Sequence, residues 1–153
     1  MKYLLLRDAG RWGALALVLN LLWELGQLPL YTIWQADAAT IAFAAIHCTI
    51  GDALIAVAAY GIAAVVTRSG RWPMERPVAG AATAIAAGFL YTVFSEWLNV
   101  YVLASWAYGP EMPVLYGIGV TPLLQWLVVP AVTLAVFRAG AHPKALTFPW
   151  LEG

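Results

Sequence analysis

Charge is scarce in this chain. Only 10% of its 153 residues are Asp, Glu, Lys or Arg, 63% are hydrophobic and the mean hydropathy is +0.78, whereas an ordinary soluble domain carries roughly a quarter charged residues. A single core in a chain of this length cannot hide so much apolar surface. A water-soluble fold is therefore excluded, and lipid is the expected solvent for much of the molecule. The lone cysteine, Cys48, rules out a disulfide within the chain and any multi-cysteine metal site. Only His47 of the two histidines falls in an apolar segment, which excludes a heme held by two histidines of one chain. Gly-x-Ser-x-Gly, Gly-rich phosphate loops, Glu-x-x-His and His-Glu-x-x-His are also missing. Nothing here names a cofactor.

Long apolar runs are what the chain does have. Four are read, over residues 12–34, 40–66, 77–103 and 118–137, each at or above the ~20 residues that cross a hydrocarbon core. Turn-forming residues separate them: Gln35-Ala36-Asp37, then 67–73, then 108–113. Alanine and leucine dominate without alternation of period two, which favours helices over a membrane barrel. The expected fold is all-α, a single domain forming a bundle of four transmembrane helices. A cleavable leader is disfavoured, because the first segment is about twice the length of a signal core and contains Glu24.

The cations are ordered along the chain. Lys2, Arg7 and Arg11 precede the first segment, Arg68, Arg71 and Arg76 lie between the second and third, and Arg138 and Lys144 follow the fourth, while the other two connections carry none. By the positive-inside rule every connection gives the same orientation, with both termini in the cytoplasm of a multi-pass protein of a bacterial inner membrane. Trp12, Trp34, Trp72 and Trp106 fall near expected helix ends, where an indole suits the headgroup layer. His142, among basic residues after the last span, is expected to be solvated.

Three acids interrupt the apolar runs: Glu24, Asp52 and Glu96. Each costs about 2.5 to 3.5 kcal/mol at a helix centre, so all should face the bundle interior or a wet cavity. Asn20, Glu24 and Gln27 follow i, i+4, i+7 spacing, as do Thr92, Glu96 and Asn99, which places each triplet on one helix face. Counting back from the periplasmic ends at ~1.5 Å per residue puts Glu24, His47, Glu96 and Gln125 roughly 10 to 14 Å deep. Asp52 lies deeper, and about 140° around the helix from His47, so the two are not expected at one spot. A fourfold stripe of Gly80, Ala84, Gly88, Thr92 and Glu96 predicts close packing against the Cys48, Asp52, Ala56 side of the second helix. Pro29 and Pro130 should free the carbonyls of Leu25 and Trp126. Residues 105–119, rich in aromatics and turn formers, form either an interfacial loop or a lid.

The run Asn20-Leu21-Leu22-Trp23-Glu24 resembles the Asn-x-x-Trp-Glu stretch of membrane-embedded terpene cyclases. Trp106-x-Tyr108 followed by Met112-Pro113 is similar to a stretch of membrane carotenoid cyclases, although Val114 and Leu115 stand where those enzymes have acids. The resemblance covers under a fifth of the chain and implies acid-initiated isoprenoid cyclisation by buried carboxyls, with Glu24 the acid carried over. As a whole the chain looks like small four-helix membrane proteins of bacteria, which implies no activity.

The expected site is thus Glu24 and Glu96 as acid and base, with His47 and Asp52 beside them, and Asn20, Gln27, Asn99, Gln125, Trp23, Trp97, Trp106 and Tyr108 around a ligand. Two carboxyls in a low-dielectric site can hold different protonation states, as acid and base work requires. Such donors also suit zinc or iron, but without a ligand motif no metal is expected. The expected partners are membrane lipid and a lipid or isoprenoid substrate, and not nucleic acid. Two other classes compete: a proton-coupled carrier, for which four helices would need a homodimer, and a structural subunit that uses the acids as pins. The orientation has a direct test. Ser105→Cys should react with an impermeant thiol reagent in intact cells and Ser69→Cys should not, and the reverse pattern would overturn the assignment.

Overall fold

The computed structural model describes residues 2–140, so the expectations placed on His142 and Lys144 lie outside the described residues. Helix α1 runs over Lys2–Gln27, α2 over Ala38–Thr67, α4 over Pro77–Trp97 and α5 over Val120–Ala139, with a single-turn helix α3 at Trp72–Glu75. Four helical segments, Leu5–Leu30, Ala38–Thr67, Pro77–Val102 and Val120–Ala139, are long and apolar enough to cross a membrane. Their outer faces are greasy, with Leu54, Val65, Val78 and Leu90 all more than two thirds exposed. Such a surface suits lipid. In the bundle α1 packs on α2 and α5, α2 on α4, and α4 on α5, so the four long helices close a ring.

The ends of the helices have local causes. Pro29 has no N–H to donate, and past Gln27 the chain tightens into 3-10 turns at Leu28–Leu30 and Thr32–Gln35 instead of continuing α-helical to 34. Asp37 caps α2, accepting from Ala39 N at 3.0 Å and Thr40 N at 3.1 Å. These bonds and the Thr40 hydroxyl hold its carboxyl below the usual carboxylate range. Helix α1 begins ten residues earlier than the apolar run does, because Arg7 and Arg11 are good helix formers whose long side chains reach outward. Past Trp97 the third span loosens into a π-helical stretch at Leu98–Val102. A two-stranded hairpin, β1 at Val114–Leu115 and β2 at Ile118–Gly119, then corrects the all-α expectation and delays α5 to Val120. Its turn uses positive φ at Tyr116 and Gly117, and Tyr101 Oη donates to the Gly117 carbonyl at 2.6 Å.

At the basic end Trp12 and Trp72 are buried to within 2% of full burial, so neither is the interfacial anchor expected from its position. Their ring centroids lie 5.0 Å apart, and Tyr60 and Phe137 complete the cluster. Trp72 Nε1 donates to the Tyr60 carbonyl and Tyr60 Oη to that of Gly70, which satisfies the polar edges of buried rings. Above the cluster, Arg11 lies over the Phe137 ring and Arg138 donates to the Pro73 carbonyl. Gly80, Ala84, Gly88, Thr92 and Glu96 are the buried residues of α4, as the fourfold spacing predicted. The stripe meets α2 as expected, with Ala84 beside Ala56 in one pocket and Thr92 and Glu96 lining a cavity with Cys48 and Asp52. A Cβ at Gly80 would overlap the Trp72 ring and one at Gly88 the Trp126 ring, so the two glycines also receive indoles.

Gly88→Ala should therefore destabilise the protein by about 1 to 3 kcal/mol through overpacking, read as a lowered thermal midpoint in detergent. Gly26→Ala, where an added Cβ meets nothing within 4 Å, should shift stability by less than about 1 kcal/mol. Equal effects from both would show that the Trp126 contact does not constrain α4.

Candidate functional site

Between the aromatic cluster and the opposite end, the bundle opens into a cavity of about 500 Å³. Trp126 forms its floor, lining both this cavity and a pocket of about 10 Å³ beneath it. All three acids of the apolar runs, Glu24, Asp52 and Glu96, line the large cavity, together with His47 and the amides of Gln27, Asn99 and Gln125. The polar triplets read from spacing thus face inward.

One half of the site is built around Gln125. Its Nε2 donates to Asp52 Oδ2 at 2.7 Å and Asn20 Oδ1 at 2.9 Å, and lies 3.3 Å from Glu24 Oε1. Gln27 Nε2 donates to the same Glu24 oxygen at 2.8 Å, and Trp23 Nε1 donates to Gln27 Oε1 at 3.1 Å. An amide has two N–H groups, so three acceptors around one nitrogen leave one unserved. Glu24 and Asp52 share the Gln125 amide nitrogen. Asp52, read from depth and helical angle as separate from the Glu24 level, is thus its neighbour. His47 hydrogen-bonds to none of the acids. It is exposed and stacks on Phe43, with centroids 5.6 Å apart. Cavity-lining residues 43, 47, 48, 51, 52 and 55 cover a broad face of α2, with His47 at its outer edge and Asp52 at its inner one.

The other half surrounds Glu96. Tyr108 Oη donates to Glu96 Oε2 at 2.7 Å, Tyr31 packs beside Tyr108 with ring centroids 5.7 Å apart, and Tyr31 and Trp106 line the cavity with Glu96. Trp106 Nε1 is buried but completes no hydrogen bond. Burial pushes the phenols of Tyr31 and Tyr108 up, and the bond to Glu96 adds to the shift of Tyr108, so both remain protonated donors. These aromatics come from two connections that are tied together: Thr32 N donates to the Ala107 carbonyl at 3.0 Å and Gly109 N to that of Leu30 at 2.8 Å. The segment after Ser105 is therefore strapped to the Tyr31 end of the cavity. Asn99 sits in the π-helical stretch, and its Nδ2 donates back to Ser95, within its own helix.

Tyr31, Tyr91 and Ser95 also line the cavity and are absent from the sequence-derived set. Ser95 and Tyr91 share the face of Thr92 and Glu96, a pattern that helical spacing contains; nothing local marks Tyr31. Trp97 stands outside the cavity, half exposed and packed near Phe94. Asn20, Trp23 and Tyr108 touch its polar residues without lining it. Phe43, His47 and Tyr91 line the cavity and reach the surface between α2 and α4, and Thr40 and Ser105 do so at the helix ends. Exposed Ile46, Ile50, Leu90 and Phe94 give the rim on α2 and α4 an apolar surface.

No family model matches this chain, and no curated protein or solved structure does either. The likeness of residues 20–24 to terpene cyclases rests on those residues alone.

The Gln125 network predicts an asymmetry among the amides. Gln125→Leu leaves buried acceptors on two other helices without a donor, and should cost about 2 to 4 kcal/mol by thermal unfolding in detergent. Asn99→Ala removes only bonds within one helix and should cost less than about 1.5 kcal/mol. Similar losses from the two would remove Gln125 from its central place.

Proposed function

We propose that this protein is a membrane-embedded enzyme that performs acid–base chemistry on a lipid or isoprenoid entering from the bilayer. The observation that carries the reading is the 500 Å³ cavity, which combines three carboxyls with an aromatic lining and a mouth on the apolar surface. Its volume falls in the ordinary range for small-molecule sites. The two halves of the site suit opposite tasks. In this reading one carboxyl of Glu24 and Asp52, which are joined through Gln125, carries the proton that is donated to a carbon or oxygen of the ligand. Glu96, whose oxygen accepts from the Tyr108 phenol, can take a proton from another position. A proton gained at one atom and lost at another balances as an isomerisation or ring closure, with no co-reactant. His47, at the mouth, is placed to exchange protons between the site and its surroundings.

A proton-coupled carrier needs a route to both ends of the bundle. Trp12, Tyr60, Trp72 and Phe137 fill the space between the carboxyls and the basic end, which favours chemistry at a one-sided cavity. A structural role accounts for paired acids but not for the open volume beside them.

Glu24→Gln and Glu96→Gln separate these readings, because an amide keeps the shape and bonding capacity of a neutral acid but cannot transfer its proton. Lipid extracts of cells expressing each variant, compared by mass spectrometry with wild type and empty vector, should show a product with wild type only. Conversion should fall by about 100-fold or more in both Glu variants and by about 10-fold in His47→Gln, with thermal midpoints within a few degrees of wild type. A wild-type extract identical to the empty-vector control, with stable Glu variants, would leave the structural role standing.

A further inference from the structure

The cavity is unbalanced in charge. Among the described residues no lysine or arginine lines it, although three carboxyls do. The described basic side chains gather at the far end, where Arg7 and Arg71 meet Asp8 and Arg11 and Arg138 meet α5 and α3. Within the cavity the carboxyls accept from neutral donors, Gln27 and Gln125 on one side and Tyr108 on the other, and His47 lies at the rim without bonding to them. Glu24 and Asp52 share the Gln125 amide, whereas Glu96 accepts from the Tyr108 phenol. An anion supported only by dipoles in a low-dielectric pocket is incompletely compensated. The rest of the lining is aromatic. Tyr31, Phe43, Tyr91, Trp106 and Trp126 present π systems to the same volume, and a cation over such rings is attracted by their quadrupoles.

We propose that the cavity selects an amphiphile bearing an ammonium group, with the charge seated near Glu96 between Tyr31 and Trp106 and the apolar tail leaving between α2 and α4. The same lining disfavours phosphate and diphosphate esters, which would bring negative charge to three carboxyls with no lysine or arginine to receive it. This inference rests on the reading of the cavity as a lipid-binding site and adds the sign of the ligand's charge.

Three probes of one chain length test it: decyltrimethylammonium, decanol and decyl phosphate, titrated by calorimetry into the protein in maltoside micelles. The expected result is binding of the ammonium about 10-fold tighter than the alcohol, with the phosphate weaker than both. Glu96→Gln should bring the ammonium down to the alcohol's affinity while alcohol binding persists, which also shows that the variant is folded. If Glu96→Gln does not fold, Tyr31→Leu, which removes an aromatic face and leaves the acids, should narrow the ammonium preference by about threefold or more. Equal binding of ammonium and alcohol would overturn the charge selectivity and leave the lipid-binding reading intact. Tighter binding of the phosphate would overturn the selectivity outright. Binding of none of the three would overturn both.

Discussion

The amide of Gln125 stands where three helices meet, and the upper half of the bundle depends on it. In lipid no water competes for a buried polar group, so every acid and amide must find a partner inside the protein. Gln125 reaches α1 through Asn20 and Glu24 and α2 through Asp52, all from one nitrogen. The next residue, Trp126, lies against Gly88 of α4. Two consecutive side chains of α5 therefore fix the depth of the other three long helices. Sliding any of them by one turn would strand a carboxyl or drive an indole into backbone.

Such locking explains why the two halves differ. Toward the basic end, glycine and alanine on α4 leave room that Trp72 and Trp126 fill, and Trp12, Tyr60 and Phe137 complete a dry interior. Toward the other end the helices do not stay regular. Helix α1 stops at Gln27, two residues before Pro29, and the third span widens into a π-helical stretch carrying Asn99. Irregular backbone at membrane depth is tolerated where it lines a cavity or is buried in protein. Both interruptions border the same open volume, which Gln27, Leu28 and Asn99 help to line.

Depth was legible in the sequence because rise per residue is nearly constant. Counting from the helix ends brought Glu24, Glu96 and Gln125 to one cavity, and i, i+4, i+7 spacing gave the inward faces of α1 and α4. Lateral position was less legible. Trp12 and Trp72 have the composition and location of interfacial anchors, and only the neighbours of each helix decide that they turn inward. The pairing of Asp52 rather than His47 with Glu24 has the same origin, since a five-residue offset along α2 is absorbed by the reach of Gln125 from α5. Tyr31 and Tyr108 meet through connections 77 residues apart in sequence, joined by an isolated β-bridge that no local pattern encodes.

A bundle that needed its acids only as pins would close around them. Glu24 and Asp52 already have Gln27 and Gln125, and Glu96 has Tyr108, so the hydrogen-bonding demand is met without empty space. A closed and empty void of 500 Å³ would cost on the order of 10 kcal/mol at about 24 cal/mol per Å³. That is comparable with the whole stability of a typical domain, roughly 5 to 15 kcal/mol. This cavity is open, since Phe43, His47 and Tyr91 line it and reach the surface, so the bundle keeps it without that cost. What the packing leaves unfilled is an open volume beside acids whose hydrogen bonds are already made.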